Sequence, residues 1–244
     1  MGAIPRPSQT TCSMGKKRNT AEVVELNTNP SPVTRADKSP IEPRTVNQES
    51  YLEAIRTKSL IFASGAAGCG KTFIAACKAA EYLSDKVVER IIVTRPVLNA
   101  DEDMGFLPGG LAEKFDPYFR PVKDTLIKRL GETHFKYCMD HGKIEIAPFA
   151  YMRGRSFDNA FIILDEAQNT TIKQMKTFLT RIGENCIVVV NGDVTQCDLP
   201  KGMQDGLSDA LARFEDSDDV QGILFHENDC VRSHICRLAL EAYK

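Results

Sequence analysis

Residues 65–72 form the segment of this sequence whose residue types and spacing point most directly to chemistry. They read Gly65-Ala66-Ala67-Gly68-Cys69-Gly70-Lys71-Thr72. The run fits the pattern GxxxxGK[ST], in which glycines let backbone N–H groups turn toward phosphate oxygens. Lys71 is predicted to reach the β- and γ-phosphates, and the Thr72 hydroxyl to hold Mg²⁺. All eight residues are therefore predicted to bind a nucleotide. The alternative is a glycine-rich turn that only reverses the chain.

A pair of carboxylates is the second candidate. Asp165 and Glu166 follow the apolar run 161–164. Ligands of open parallel sheets bind at the carboxyl ends of the strands, so both side chains are expected beside the phosphates. Asp165 is predicted to hold Mg²⁺, and Glu166 to polarise the water that attacks the γ-phosphorus. The alternative is an acidic pair on the surface at the start of a helix.

A third apolar run, 188–190, ends in polar residues that include Asn191 and Gln196. Either side chain could donate a hydrogen bond to the γ-phosphate or to the attacking water, and so sense hydrolysis. The alternative is a Gly-Asp turn that binds no ligand. Gln196 is taken as the candidate catalytic residue of this segment.

The elements that must position these residues begin near residue 45. Residues 1–44 are rich in Thr, Ser, Asn and Pro and are predicted to be a flexible polar tail, with one domain over 45–244. Six short apolar runs are predicted to be strands: 60–63, 90–93, 143–146, 161–164, 187–190 and 222–225. Helices are predicted over 72–83, 175–182 and 233–242. The alternation predicts an α/β fold with a doubly wound, mostly parallel sheet.

The stretch 99–121 contains several Gly and Pro residues and is predicted to be a long loop or a broken helical insertion. The net charge of −2 does not indicate a nucleic-acid-binding protein, and no apolar run is long enough to cross a membrane. The first residues lack the apolar core of a secretory signal, and the eight cysteines are interpreted as reduced thiols. A cytoplasmic protein is expected.

Seven further segments bring the sequence close to a known family. They are Thr45-Val46-Asn47-Gln48, Val93-Thr94-Arg95-Pro96-Val97, Gly105-Phe106-Leu107-Pro108-Gly109 followed by Lys114 and Pro117-Tyr118-Phe119-Arg120-Pro121, Tyr151-Met152-Arg153-Gly154-Arg155, Leu164-Asp165-Glu166-Ala167-Gln168-Asn169, Asn191-Gly192-Asp193-Val194-Thr195-Gln196 and Asp229-Cys230-Val231-Arg232-Ser233. With the phosphate loop, these segments make the sequence resemble the PhoH-like proteins, which are P-loop ATPases related to the nucleotide-binding core of superfamily 1 helicases. Cys69 and Cys230 depart from the expected Thr and Val.

The resemblance implies a single RecA-like P-loop NTPase domain that binds ATP and Mg²⁺. It assigns Gln48 to the adenine edge, and makes Arg153 or Arg155, and Arg232, candidates for the γ-phosphate charge. Each arginine could instead form an ordinary salt bridge. Arg155 is taken as nucleotide-binding, and Arg232 as catalytic together with Lys71, Glu166 and Gln196.

A single domain has no second lobe to supply an arginine to the γ-phosphate, so a neighbouring subunit would have to supply it. The resemblance therefore implies a ring, expected to be a hexamer. RNA or single-stranded DNA is a candidate partner. The alternative function is an ATP-controlled assembly or switch protein without unwinding activity; a small-molecule kinase is disfavoured. Structural zinc is the remaining alternative for two His/Cys clusters: His134, Cys138 and His141, and His226, Cys230, His234 and Cys236.

Overall fold

The computed structural model describes residues 35–96, 111–152, 154–232 and Ile235. One six-stranded sheet organises them, and every neighbouring pair of strands is parallel. The strands are β1 Leu60–Gly65, β2 Arg90–Arg95, β3 Ile144–Pro148, β4 Ala160–Leu164, β5 Ile187–Gly192 and β6 Val220–Phe225, in the spatial order β3-β2-β4-β5-β1-β6. The predicted α/β fold and all six predicted strands are confirmed.

Helices cover both faces of the sheet, as the continuous apolar character of the strands requires. Alternate residues of the four inner strands, β1, β2, β4 and β5, enter two separate cores. Ile61 and Ile163 face one core, whereas Phe62 and Ile162 face the other. The first core packs under α1 Val46–Thr57, α2 Lys71–Ser84, α3 Leu111–Leu130 and α4 Glu132–Asp140, and the second under α5 Ile172–Leu179 and α6 Gly206–Arg213.

The prediction of a loop or broken helix over 99–121 is wrong for residues 111–121, which belong to helix α3. The helix begins at Leu111 and contains both Pro117 and Pro121. A proline removes one backbone donor from a helix, but burial of side chains can outweigh that cost. Phe119, Val122 and Leu126 are all buried in the first core, which stabilises the helix through both prolines. Residues 99–110 lie outside the described residues.

The bounds of a second predicted helix, 175–182, also change. Helix α5 begins at Ile172 rather than at residue 175, because Thr171 and Gln174 form a capping box, and it ends at Leu179. Part of the predicted tail contacts the domain: the Asp37 N–H donates to Lys128 O at 2.9 Å and Arg129 donates to Ser39 O at 2.6 Å. These contacts start before the predicted boundary at residue 45.

Of the helix predicted over 233–242 the structure describes only Ile235, and the tail over 1–34 lies outside the described residues. Within the part of the chain that the structure describes, we find no helix with the length and apolarity needed to cross a bilayer. The sheet therefore positions the candidate site: β1, β2, β4 and β5 bring their carboxyl ends to one edge, where the polar segments of the sequence meet.

Candidate functional site

The phosphate loop runs from the end of β1 into the first turn of α2. Gly65 has φ +142°, and a Cβ placed on it would lie 2.1 Å from Phe225 O, so only glycine fits against β6. Gly70 caps α2 with φ +84°, and among the described residues no side chain caps this helix. By contrast, α1, α5 and α6 are capped by Thr45, Thr171 and Asp205. The first N–H groups of α2 are thus left for an anion.

Lys71 lies inside the loop that it is predicted to serve. Its Nζ donates to Gly65 O at 2.5 Å and to Ala66 O at 2.9 Å, and the residue is only 9% exposed. Burial lowers the pKa of the Lys71 ammonium, against the opposing effect of nearby acids that include Asp193, Asp165 and Glu166. Phosphate oxygens carry negative charge, so they would bind the ammonium more strongly than these two neutral carbonyl oxygens do.

Thr72 and Asp165 meet as the sequence predicts. The Thr72 hydroxyl donates to Asp165 Oδ1 at 2.9 Å across the start of α2 and the end of β4. Burial, followed by the neighbouring Glu166 charge, raises the pKa of Asp165. Two adjacent carboxylates in a partly buried site are unfavourable unless a cation neutralises them. Mg²⁺ binds through one or two carboxylates, a hydroxyl and waters, so these residues fit that ion.

Glu166 is held beside Asp165 in an uncommon backbone conformation, with φ +53°. Its Oε2 accepts a hydrogen bond from Gln168 Nε2 at 2.7 Å, and its Oε1 lies 3.4 Å from Arg95 Nη2. Gln168 is itself buried and accepts from the Asp193 N–H at 3.0 Å. A left-handed conformation at a non-glycine residue costs about 1–3 kcal/mol and is typical of functional sites.

Gln196 and Arg232 complete the polar wall of the site. Gln196 Nε2 donates to Asp193 Oδ2 at 2.6 Å, and the Arg232 side chain lies against Gly68, where a Cβ would be 2.6 Å from Arg232 Nε. Together they help to enclose a cavity of about 360 Å³. Its lining includes Gly68, Gly70, Lys71, Thr72, Arg95, Asp165, Glu166, Gln196 and Arg232. The structure thus brings together all six of the predicted catalytic and metal-binding residues.

Gln48 lies in an adjoining cavity of about 600 Å³, which shares Gly70 and Phe73 with the first. Its Oε1 accepts from the Arg44 N–H at 2.8 Å, and its Nε2 donates to Cys69 O at 2.9 Å. These two backbone partners determine which end of the amide is oxygen and which is nitrogen. Each end keeps capacity for one further hydrogen bond.

Two candidates for contact with the nucleotide phosphates, Arg155 and Asn191, do not line the phosphate cavity of their own chain. Arg155 forms a two-pronged ion pair with Glu145 on the edge strand β3, and it is absent from the described residues that line either cavity. The phosphate loop is several strands away. Asn191 is fully buried, and its Oδ1 accepts from the Tyr51 hydroxyl at 2.8 Å, so it does not line the cavity. Arg153 lies outside the described residues.

The zinc alternative has no support in the described part of the chain. His134 Nε2 and Cys138 Sγ are 3.6 Å apart, but no group of three His, Cys, Asp or Glu side chains there is arranged to hold a metal ion. The Tyr137 ring stacks on His141 with the ring centroids 4.0 Å apart. His234 and Cys236 of the second cluster lie outside the described residues.

Two residues of the site were not among those predicted from the sequence. Arg95 lines the cavity, and Gln168 connects Glu166 to Asp193. Arg95 is the last residue of an apolar strand, and Asp165 and Glu166 directly follow another. This position at the end of a strand could have identified Arg95 from the sequence. Gln168 carried no comparable signal, because its role depends on β4 and β5 lying side by side.

Comparison with known proteins agrees with the family resemblance of the sequence. A family model described as "PhoH-like protein" matches residues 40–244. The chain is 63% identical over 209 residues to "Protein PhoH" of Escherichia coli (strain K12), covering 85% of this chain and 59% of that protein. It is 49% identical over 203 residues to the "PhoH-like protein" of Mycobacterium tuberculosis (strain ATCC 25618 / H37Rv), covering 83% of this chain and 58% of that protein. The chain thus spans about three fifths of the length of these curated relatives.

Among solved structures, the large terminase of a thermophilic bacteriophage superposes with a TM-score of 0.54. The sequences are 12% identical, and the match covers 83% of this chain and 51% of the terminase chain. At this identity the similarity concerns the fold alone.

Proposed function

Because the chain belongs to the PhoH-like protein family and has the fold of a P-loop NTPase, we propose that it binds ATP with Mg²⁺ and hydrolyses it to ADP and phosphate. The observation that carries this proposal is the meeting of Lys71, Thr72, Asp165 and Glu166 in one cavity at the uncapped start of α2. Backbone donors and a lysine suit the phosphates, and the paired carboxylates suit a cation and a water.

Adenine rather than guanine is supported by Gln48. Within the part of the chain that the structure describes, one N–H and one lone pair of the Gln48 amide have no partner, so the amide can offer a donor beside an acceptor. Adenine offers N7 as an acceptor and its 6-amino group as a donor, which matches that pair, whereas guanine offers acceptors at both N7 and O6. The adjoining cavity, with Pro43 and Phe73 in its walls, places Gln48 next to the phosphate loop.

Hydrolysis is supported by the residues opposite Lys71. Glu166 is positioned by Gln168 to accept a proton from a water that attacks the γ-phosphorus, and Gln196 lines the same cavity. Thr72 and Asp165 would hold Mg²⁺, which would supply positive charge to offset the negative charge of the phosphates. Lys71 and the N–H groups of α2 would stabilise the negative charge of the transferring phosphoryl group.

The ring oligomer, expected to be a hexamer, and the RNA or single-stranded DNA partner stay predictions. Arg155, which pairs with Glu145 of edge strand β3, lies far from the phosphate loop of its own chain but could reach a nucleotide in a neighbouring subunit, which is compatible with a ring. Light scattering with and without ATP measures the mass of the oligomer, and a mass of one 27.1 kDa chain in both states would contradict the ring.

Stimulation of ATP turnover by RNA or single-stranded DNA would favour a motor that acts on nucleic acid. ATP-dependent assembly without such stimulation would favour the switch protein.

The test of the proposed function is phosphate release from ATP and from GTP, with Mg²⁺ or with EDTA. We expect Mg²⁺-dependent turnover that prefers ATP. Gln48→Glu removes the amide donor but keeps the shape, so kcat/KM for ATP should fall about tenfold and the preference for ATP should shrink. Gln174→Glu is the matched control, because either side chain can complete the capping box of α5. Absence of turnover with both nucleotides would refute the proposal.

A further inference from the structure

Arg95 is held at the wall of the phosphate cavity by helix α3. It is the last residue of β2, and its Nη1 donates to Tyr118 O at 3.2 Å. Its guanidinium carbon lies 5.9 Å from the centroid of the Tyr118 ring. The side chain is only 26% exposed, and it lines the cavity that also contains Lys71 and Asp165. Helix α3 therefore orients a permanent positive charge into the site.

The contact between Arg95 and Glu166 is loose. Arg95 Nη2 lies 3.4 Å from Glu166 Oε1, longer than the roughly 2.7–2.9 Å of a charge-assisted hydrogen bond. The other oxygen of Glu166 accepts a close hydrogen bond from Gln168, at 2.7 Å. Gln168 is buried and cannot follow a moving partner, since it is also bound to the Asp193 N–H. Glu166 thus has one fixed partner and one partner that can be exchanged.

A γ-phosphate in this cavity would compete with Glu166 for Arg95. It carries more negative charge than a carboxylate, and it can accept two parallel hydrogen bonds from a guanidinium. Arg95 uses Nη1 to bind Tyr118 O, so its Nη2 group could turn from Glu166 to a phosphate without breaking the anchor on α3. ADP has no γ-phosphate, so it would leave the contact between Arg95 and Glu166 in place.

We infer that Arg95 is a γ-phosphate-sensing catalytic residue: it exchanges the Glu166 carboxylate for the γ-phosphate, so that a bound triphosphate frees Glu166 to orient the attacking water. The inference rests on the proposed function, and it identifies an arginine supplied by the chain itself. Arg232 occupies a different position, against Gly68 of the phosphate loop, whereas Arg95 lies beside Glu166, the proposed general base.

The first test compares nucleotide affinities of the full chain by calorimetry in Mg²⁺, with ADP and with adenylyl imidodiphosphate as probes. Arg95→Ala should weaken binding of the triphosphate analogue about 10- to 100-fold, and should change ADP affinity less than about twofold. Arg95→Lys should recover part of the loss. Arg213→Ala is the control, because Arg213 pairs with Asp209 on the exposed side of α6, away from both cavities. An equal loss for both nucleotides would indicate a structural role in anchoring α3 and would overturn the inference.

The second test isolates the exchange by a double-mutant cycle. Glu166→Gln removes the competing carboxylate, so the triphosphate analogue should bind several-fold tighter while ADP affinity stays the same. If the competition acts through Arg95, this gain should disappear in the Arg95→Ala background. A gain that persists there would show simple repulsion between Glu166 and the γ-phosphate, and would exclude the exchange.

The two proposals can fail separately. If triphosphate binding depends on Arg95 but the wild type does not hydrolyse ATP, the proposed hydrolysis is refuted and the role of Arg95 as a sensor is retained. If neither probe binds, both proposals are refuted.

Discussion

Replacing Lys71 with methionine is expected to lower ATP turnover about 10²- to 10³-fold and to weaken nucleotide binding. The ammonium supplies a charge that the transferring phosphoryl group needs, and a thioether of similar length cannot replace it. The protein should nevertheless stay folded. Burial lowers the pKa of Lys71, which means that folding disfavours its charged form, so stability near neutral pH should be unchanged or higher in the variant.

Phosphate release and a thermal melt without nucleotide measure the two effects. Lys78→Met, on the same helix, is the matched control: Lys78 pairs with Glu81 and faces away from the phosphate cavity, so turnover should stay near the wild-type value. Turnover by the Lys71 variant within tenfold of wild type would contradict the assignment of the loop as the nucleotide site. A large fall in its melting temperature would contradict the argument from burial.

The second large effect is expected from Glu166→Gln. This isosteric change removes the carboxylate that would accept the proton of the attacking water, and general bases typically contribute about 10²–10⁴ in rate. The glutamine can still accept the hydrogen bond from Gln168, so the loop geometry should survive. We therefore expect kcat to fall within that range, while binding of ADP stays within about twofold of wild type.

Single-turnover phosphate release and ADP calorimetry separate chemistry from binding in this variant. Glu184→Gln is the control, because Glu184 is a carboxylate outside both cavities and its loss should change neither quantity. Two results would assign the base to another group: single-turnover hydrolysis close to the wild-type rate, or equal losses of binding and rate.

Local sequence determined the parts of this protein whose structure depends on neighbours along the chain. The phosphate loop is one continuous segment, so its glycines, Lys71 and Thr72 could be assigned before any fold was known. Short apolar runs predicted all six strands, because the inner strands of the sheet are buried on both faces and the edge strands on at least one. The position of Asp165 after β4 followed from the rule that ligands bind where parallel strands end.

Only the tertiary structure decided which distant side chains meet. Arg155 and Arg95 are both arginines in recognisable segments, yet one pairs with Glu145 at the sheet edge and the other lines the cavity, because the strand order places β3 outermost and β2 beside β4. Burial against α2 and the sheet stabilises α3 through two prolines, which local propensity disfavours. Such contacts join residues far apart in sequence, and their free energy comes from packing that no local pattern contains.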